Sequence, residues 1–402
     1  MIDSHTARRT TRQIGHTPLV SSNLQFVFKT SKYCNLRCSY CYEYNELGFR
    51  QRMSPETIRG AFLNIANFAM ENRIDTVNFA WHGGEPFLIP LDFYAEVGEW
   101  QRDIFENKIN VTNDVQTNLT ILTQRHIEFL KSKAFFTELG ISVDPYGDQR
   151  IDIRGRTKTA RVLANMQKLI DNDIDFSAIT VVVRKTLPHV RNIFEFFDKI
   201  NIRFRLLPFY QSAFEGQVTE HALTGSQIVE SHNAVFDEWI ASAQATTVAP
   251  LDQCLNYAIN YMAGHRACHY DKGRDESVFV VGVDGGVWGD GEISGEEFRY
   301  GNLITDSFAT LLKSETRNQS VERSRRLMHE HCGHCRYFGA CPGHFVGDAS
   351  PQQQRMLDES GCPERDVIAH IVEVLKSAKL EEMISKAAVG RSNRDDLLRL
   401  NL

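Results

Sequence analysis

No apolar run in this 402-residue chain approaches the roughly 20 residues that a membrane-spanning helix requires, and the opening MIDSHTARRTTRQ lacks the apolar core of a secretion signal. Long basic runs are absent too. With 45 Lys and Arg against 51 Asp and Glu the net charge is -6, which leaves no electrostatic footprint for nucleic acid or an anionic membrane. Nor does composition suggest disorder, since 42% of residues are apolar and 24% charged, enough for two or three domains with sizeable cores. These absences predict a cytoplasmic protein. Cysteine is missing from the whole middle of the chain: Cys34, Cys38 and Cys41 stand near the start, and Cys254, Cys268, Cys332, Cys335, Cys341 and Cys362 in the last third. In a reducing compartment, an odd total of 9 in two groups reads as metal ligation before disulfide pairing.

The cysteine-free middle alternates. LQFVFKT (24–30), TVNFAW (76–81), VTNDVQTN (111–118), TELGISVD (137–144), FSAITVVV (176–183) and RFRLLPFY (203–210) have strand composition. Between them lie helical stretches such as TQRHIEFLKSK, ARVLANMQKLIDN and residues 54–73, the last opened by Ser54 as N-cap with Pro55 at the first helical position. Such a succession predicts an α/β fold, a parallel sheet curled into a partial (β/α)6 TIM-like barrel whose chemistry sits at the C-terminal ends of the strands. Residues 1–23 form an arm, 24–245 the barrel, 246–365 a small Cys-rich extension, and 366–402 a packing helix and tail. Residues 226–244, with Ile228, Val235, Phe236 and Ile240, bridge barrel and extension, and the terminal helix presents Val367, Ile371, Val374, Leu375 and Ala378 on one face.

CNLRCSYCY (34–42) follows the first strand and WHGGEP (81–86) ends the second, so both are placed at one rim. Three thiols are one short of a closed zinc or iron-sulfur site. Gly83 and Gly84 let backbone approach a ligand closely, and Glu85 adds a carboxylate able to hold an ammonium group. A zinc knuckle completed by a distant His is the alternative from the thiols alone.

CxxxCxxC with Tyr40 before its last cysteine, followed by GGEP after the next strand, resembles the radical S-adenosylmethionine superfamily. The resemblance implies a [4Fe-4S] cluster held by Cys34, Cys38 and Cys41. S-adenosylmethionine would be the fourth ligand, and its one-electron cleavage would give a 5'-deoxyadenosyl radical that takes hydrogen from substrate. It places Gly83, Gly84 and Glu85 near the methionine ammonium, Tyr40 near the adenine, Asn118 and Ser142 near the ribose and carboxylate, and Arg154 on the carboxylate, with Arg150 and Arg156 close enough to compete. His82 beside them is a candidate for orienting substrate.

CGHCRYFGAC with Cys362 resembles the SPASM extension, in which Cys332, Cys335, Cys341 and Cys362 would hold one auxiliary [4Fe-4S] cluster, zinc being the alternative for four soft thiolates. VGVDGGVWGD (281–290) is similar to the hairpin that precedes that cluster. Here the chain departs from the pattern, with Asp290 and Phe345 where cysteines are expected and only Cys268 and Cys254 left over. One auxiliary cluster is therefore expected, a second requiring Asp290 as a ligand. Otherwise Asp290 is a catalytic base for the proton lost after radical chemistry, or a turn residue.

The extension implies a maturase of ribosomally made peptides that forms an intramolecular C–C, ether or thioether crosslink, and general likeness points to the branch that joins an aromatic ring to a neighbouring side chain. Sulfatase-type oxidation of Cys or Ser, a small-molecule reaction and a non-catalytic metal scaffold are the other readings. The partners implied are a precursor peptide, a flavodoxin or ferredoxin as electron donor and, since about 23 residues before the first strand are too few for a leader-binding domain, direct docking or a separate leader-binding protein. Neither nucleic acid nor membrane is expected as a partner.

Overall fold

The computed structural model describes residues 21–209, 217, 220–289 and 295–377. Its centre is a ten-stranded sheet in the order β10-β9-β8-β1-β2-β3-β4-β5-β6-β7. The strands are β1 Asn23–Lys29, β2 Thr76–His82, β3 Asn110–Thr117, β4 Glu138–Ser142, β5 Ser177–Val182, β6 Phe204–Pro208, β7 Val248–Ala249, β8 Val278–Val281, β9 Gly286–Gly289 and β10 Gly301–Asn302. All pairs from β1 to β7 are parallel, β8 joins β1 in parallel, and β9 and β10 are antiparallel. The terminal strands β10 and β7 do not pair, so the barrel is partial, as expected.

The helices are α1 Pro55–Glu71, α2 Leu91–Phe105, α3 Gln124–Ser132, α4 Thr159–Asp171, α5 Val190–Lys199, α6 Gly225–Ala241, α7 Leu251–Met262, α8 Glu315–Leu327, α9 Pro351–Ser360 and α10 Pro363–Ser377, with shorter turns between. Ser54 caps α1 by accepting from the Thr57 N–H at 3.1 Å. Helices cover the outer face while side chains fill the inside, so β1 and β2 are buried almost throughout rather than alternating. Phe26, Phe28, Phe62, Phe79, Trp81 and Phe105 form the aromatic centre, with Phe62 and Phe79 ring centroids 4.7 Å apart.

The six expected strands are present, with ends shifted by one or two residues; Tyr210, at the end of the sixth, lies outside the described residues. β4 ends at Ser142, and beyond it the Asp144 carboxylate accepts from the Val181 N–H of β5 at 2.9 Å. The hairpin at 278–289 does more than expected: Val278–Val281 is fully buried and extends the barrel sheet beyond β1, so the extension starts inside the barrel's own sheet. α10 packs on α6 and α7, burying Val367, Ile368, Ile371, Val372 and Leu375. Its buried face is thus rotated from the expected one toward Ile368 and Val372; Ala378 lies outside the described residues. Asp290, the arm up to residue 20 and the tail from 378 also lie outside them. Among the described residues no helix is long and apolar enough to cross a membrane.

Candidate active site

Parallel register brings the ends of β1 and β2 level, Lys29 opposite His82, so the loops that follow meet. The loop after β1 is tightly held. Cys34 N–H donates to the Leu47 carbonyl at 3.1 Å, Cys41 N–H to the Cys38 carbonyl at 2.9 Å, and the Arg37 guanidinium to the carbonyls of Cys34 and Leu36 at 2.7 and 2.6 Å. Cys34, Cys38 and Tyr40 pack in an apolar nest with Leu36, Leu47, Val183 and Phe209, with Cys41 against it.

Burial pushes the Cys34 thiol up to about 12, helped by the charges of Glu85 and Cys38. Burial also raises Cys38 and Cys41, and Cys41 feels Glu43 and both other thiols. Burial and mutual charge hold all three as neutral thiols, and an iron-sulfur cluster would offset the cost of ionising them together. The donor set therefore fits an iron-sulfur cluster. Among the described residues no group of three His, Cys, Asp or Glu is arranged around a single metal ion.

The loop after β2 meets the cysteine loop at Gly84. Its φ is +54°, and a Cβ there would lie 2.2 Å from the Tyr33 carbonyl oxygen, so only glycine fits. The next N–H, of Glu85, donates to that same oxygen at 3.0 Å. The Glu85 carboxylate turns inward: it accepts from Thr117 Oγ1 at 2.6 Å and from the N–H groups of Asn118 and Phe87 at 2.7 and 2.9 Å. Of the GGE triplet, Gly84 is the one that lines the cavity described below.

Lys29 ties the two loops further. Its ammonium, 8% exposed as a residue, lies 2.9 Å from Glu43 and 3.3 Å from His82 Nδ1 and donates to the Tyr42 hydroxyl. Glu43 in turn accepts from the Gly84 N–H at 3.3 Å. Burial and the Lys29 charge push His82 down to about 3, so its ring is neutral, with Nδ1 accepting from the Gly83 N–H at 2.6 Å.

The remaining rim residues come from β3, β4 and the loop beyond. Asn118 Nδ2 points to Cys34 Sγ at 3.6 Å, and Ser142 Oγ accepts from Gln116 at 2.8 Å; both line the cavity. Tyr40 donates to Asp144, which also pairs with Arg150 at 3.1 Å. Arg150 is buried, lines the cavity and carries a guanidinium 5.9 Å from the Tyr40 ring centroid. Arg154, by contrast, is exposed, and Arg156 is bound to Asp152 at 2.8 Å. The arginine brought into the site is thus Arg150, whose partner Asp144 had no sequence signal of its own.

These groups open onto one cavity of about 1000 Å³ that runs from Cys34, Cys38 and Cys41 to Cys254, Cys268, Phe345 and Glu364 in the C-terminal third. Behind that far wall the second thiol group gathers. Cys332 and Cys335 are joined by a turn, with Cys335 N–H to Cys332 carbonyl at 2.9 Å, and Cys362 feels the charge of Cys332. Cys341 feels Cys362 and Cys254 and donates to Glu364 at 3.5 Å. Burial raises the Glu364 carboxyl to about 7. Cys254 therefore stands with this group, whereas Cys268 is exposed and pairs its backbone with Gly339 at 3.0 Å.

The family model of the radical SAM superfamily matches residues 28–197, the span that carries both rim loops. The barrel is a radical SAM domain. The chain is thus an enzyme that carries this domain, and the domain implies S-adenosylmethionine and a [4Fe-4S] cluster. Across most of its length it is also similar to the cysteine-type anaerobic sulfatase-maturating enzyme of Clostridium novyi, 25% identical over 328 residues, 77% of this chain and 84% of that protein. The serine-type enzyme of Bacteroides thetaiotaomicron is 21% identical over 333 residues, 77% of this chain and 79% of that one. Among solved structures, native anSMEcpe with bound AdoMet and the Cp18Cys peptide matches with a TM-score of 0.68 at 20% identity, covering 91% of this chain and 99% of that one. Streptococcus suis SuiB bound to precursor peptide SuiA matches at 0.54 and 14%, covering 88% and 76%. At these identities the structural likeness establishes the fold, here of both the radical SAM barrel and the C-terminal region.

Proposed function

We propose that this radical SAM enzyme modifies a side chain of a ribosomally made peptide bound in the cavity between the two thiol groups. The observation that carries this reading is the cavity itself. It runs on from the first thiol group to the C-terminal third, and most of its wall is apolar, with Leu36, Ile179, Val181, Leu207, Phe209, Tyr257 and Phe345 between the groups. Cys34, Cys38 and Cys41 would hold the [4Fe-4S] cluster that, with S-adenosylmethionine bound, supplies a carbon radical for hydrogen abstraction. Gly84 gives the cofactor backbone to lie against, Asn118 and Ser142 offer polar groups at the strand ends, and Arg150 replaces Arg154 as the partner for its carboxylate. Tyr40 and its apolar neighbours exclude water from the thiols. Cys332, Cys335, Cys341 and Cys362 would hold one auxiliary [4Fe-4S] cluster, with Cys254 beside it. Asp290 remains the sequence's candidate base.

The bond we favour is an intramolecular crosslink between an aromatic ring and a neighbouring side chain, which suits apolar walls. Oxidation of Cys or Ser is the second reading, favoured by the names of the sulfatase-maturating relatives. Small peptides encoded beside the gene, incubated with the reduced enzyme and S-adenosylmethionine, distinguish them by mass spectrometry. Loss of one hydrogen pair with retention of every sulfur, and fragment ions missing between two residues, supports the crosslink. Conversion of Cys to an aldehyde with loss of its sulfur, or of Ser to an aldehyde with loss of two hydrogens and complete fragmentation, supports the second reading. Unchanged peptides beside active cofactor cleavage would remove both. A flavodoxin or ferredoxin would supply the electron, and a separate protein could deliver the leader.

A further inference from the structure

Helix α7 puts an unusual wall on this cavity. Asp252 lies in its first turn and Asn256 one turn later on the same face, and both line the cavity. Asp252 is 6% exposed, and neither carboxylate oxygen has a hydrogen-bond partner; nor does Asn256 Oδ1. The Asn256 amide nitrogen is already committed to the Asp252 main-chain carbonyl at 3.0 Å.

No neighbouring side chain completes a hydrogen bond to these oxygens, although the Arg205 cation lines the same cavity. His232 uses Nδ1 on the Ile228 carbonyl at 2.8 Å and is held neutral by burial, at about 4, so its other nitrogen is one more acceptor. Ile179, Val181, Leu207 and Ile228 are apolar. The backbone N–H groups of Asp252 and Gln253 and the charges of Arg205 and Arg203 only partly offset the burial that lifts the Asp252 carboxyl to about 6. Buried acceptors without donors are costly, and a donor-rich occupant removes that cost.

We propose that Asp252 and Asn256 form a receptor for a nitrogen-borne hydrogen-bond donor of the substrate peptide, the side chain of an Arg, Lys, Asn or Gln. This rests on the peptide reading of the cavity. Asp252 is then a specificity-determining residue, and acidic side chains are excluded from that wall by its charge.

The test uses the full chain with clusters reconstituted and S-adenosylmethionine present. A capped synthetic peptide library, randomised in sequence, is passed over immobilised enzyme. The wild type should enrich nitrogen donors at one position at least tenfold, and Asp252→Leu should lose that enrichment. Enrichment confined to Arg and Lys identifies a cationic donor, and enrichment confined to Asn and Gln an amide. Equal enrichment in both proteins, or enrichment of Asp and Glu, overturns the proposal. Variant folding is checked by the change that S-adenosylmethionine induces in the paramagnetic resonance of the reduced cluster; the near-isosteric Asp252→Asn repeats the experiment if Asp252→Leu fails that check. Methylguanidinium and acetamide serve as small probes. If either raises the melting temperature of the wild type and not of the variant while no peptide is retained, the receptor stands and the peptide reading falls. No shift with either probe and no enrichment overturns the receptor.

Discussion

Replacing Lys29 tests whether the two cofactor loops are tied together electrostatically. The ammonium sits 2.9 Å from Glu43, in a pair with side chains 10% and 18% exposed, and Glu43 holds the Gly84 N–H at 3.3 Å. Burial alone would lower the Lys29 pKa, but Glu43 and Tyr42 outweigh it and raise it, so the pair is ionised at any working pH. Lys29→Met leaves a buried carboxylate without its cation. Removing one member of a buried pair costs about 3–5 kcal/mol, and the partial exposure here places the loss near 3. Glu43→Gln in the Lys29→Met background removes the orphaned charge, so the double variant should recover about 2 kcal/mol of the summed losses. Anaerobic denaturant unfolding of the three variants, with S-adenosylmethionine affinity by calorimetry, reads both stability and loop placement. A Lys29→Met variant within about 0.5 kcal/mol of wild type, or strictly additive losses, would refute the coupling.

Gly84→Ala should cost more than strain alone, since its Cβ meets the Tyr33 carbonyl oxygen at 2.2 Å, and it should weaken S-adenosylmethionine binding at least about tenfold, roughly 1.4 kcal/mol by calorimetry. Gly155→Ala, at a φ of +71° with nothing within 4 Å, is the control and should cost only about 1–2 kcal/mol with binding unchanged. Cys38→Ala should abolish 5'-deoxyadenosine formation while the absorption of the C-terminal cluster survives; retained cleavage would refute the assignment of the first cluster. Asp252→Asn should stabilise the fold at neutral pH. Burial raises this carboxyl from 3.8 to about 6, so the folded state keeps a proton the unfolded chain has released, and wild-type stability falls as pH rises across that window. The variant should therefore gain up to about 3 kcal/mol above pH 6 and nothing below about pH 4, and a gain independent of pH in chemical unfolding would contradict it.

Local signals made much of this legible. Alternating strand and helix composition placed six strands to within a residue or two, because each run was bounded by its own caps and turns. The cysteine spacing and GGEP marked the rim because both loops must supply special chemistry or a residue without a Cβ. Features built from long-range contacts were not legible. Glu85 reads as a ligand-facing carboxylate until Thr117 and Asn118, 32 and 33 residues away, turn it inward. The choice of Arg150 over Arg154 depends on Asp144, and the pairing of β8 with β1 crosses some 250 residues. Cys254 and Cys268 look alike in sequence, yet one is buried within reach of Cys341 and Cys362 and the other exposed.

The central claim is tested most directly on protein reconstituted anaerobically with iron and sulfide, reduced, and given S-adenosylmethionine. Iron for two four-iron clusters, a paramagnetic signal that S-adenosylmethionine perturbs, and formation of 5'-deoxyadenosine are the results expected. Iron for a third cluster would bring Asp290 or Cys254 into ligation. Tightly bound zinc with no 5'-deoxyadenosine would contradict the radical reading of Cys34, Cys38 and Cys41.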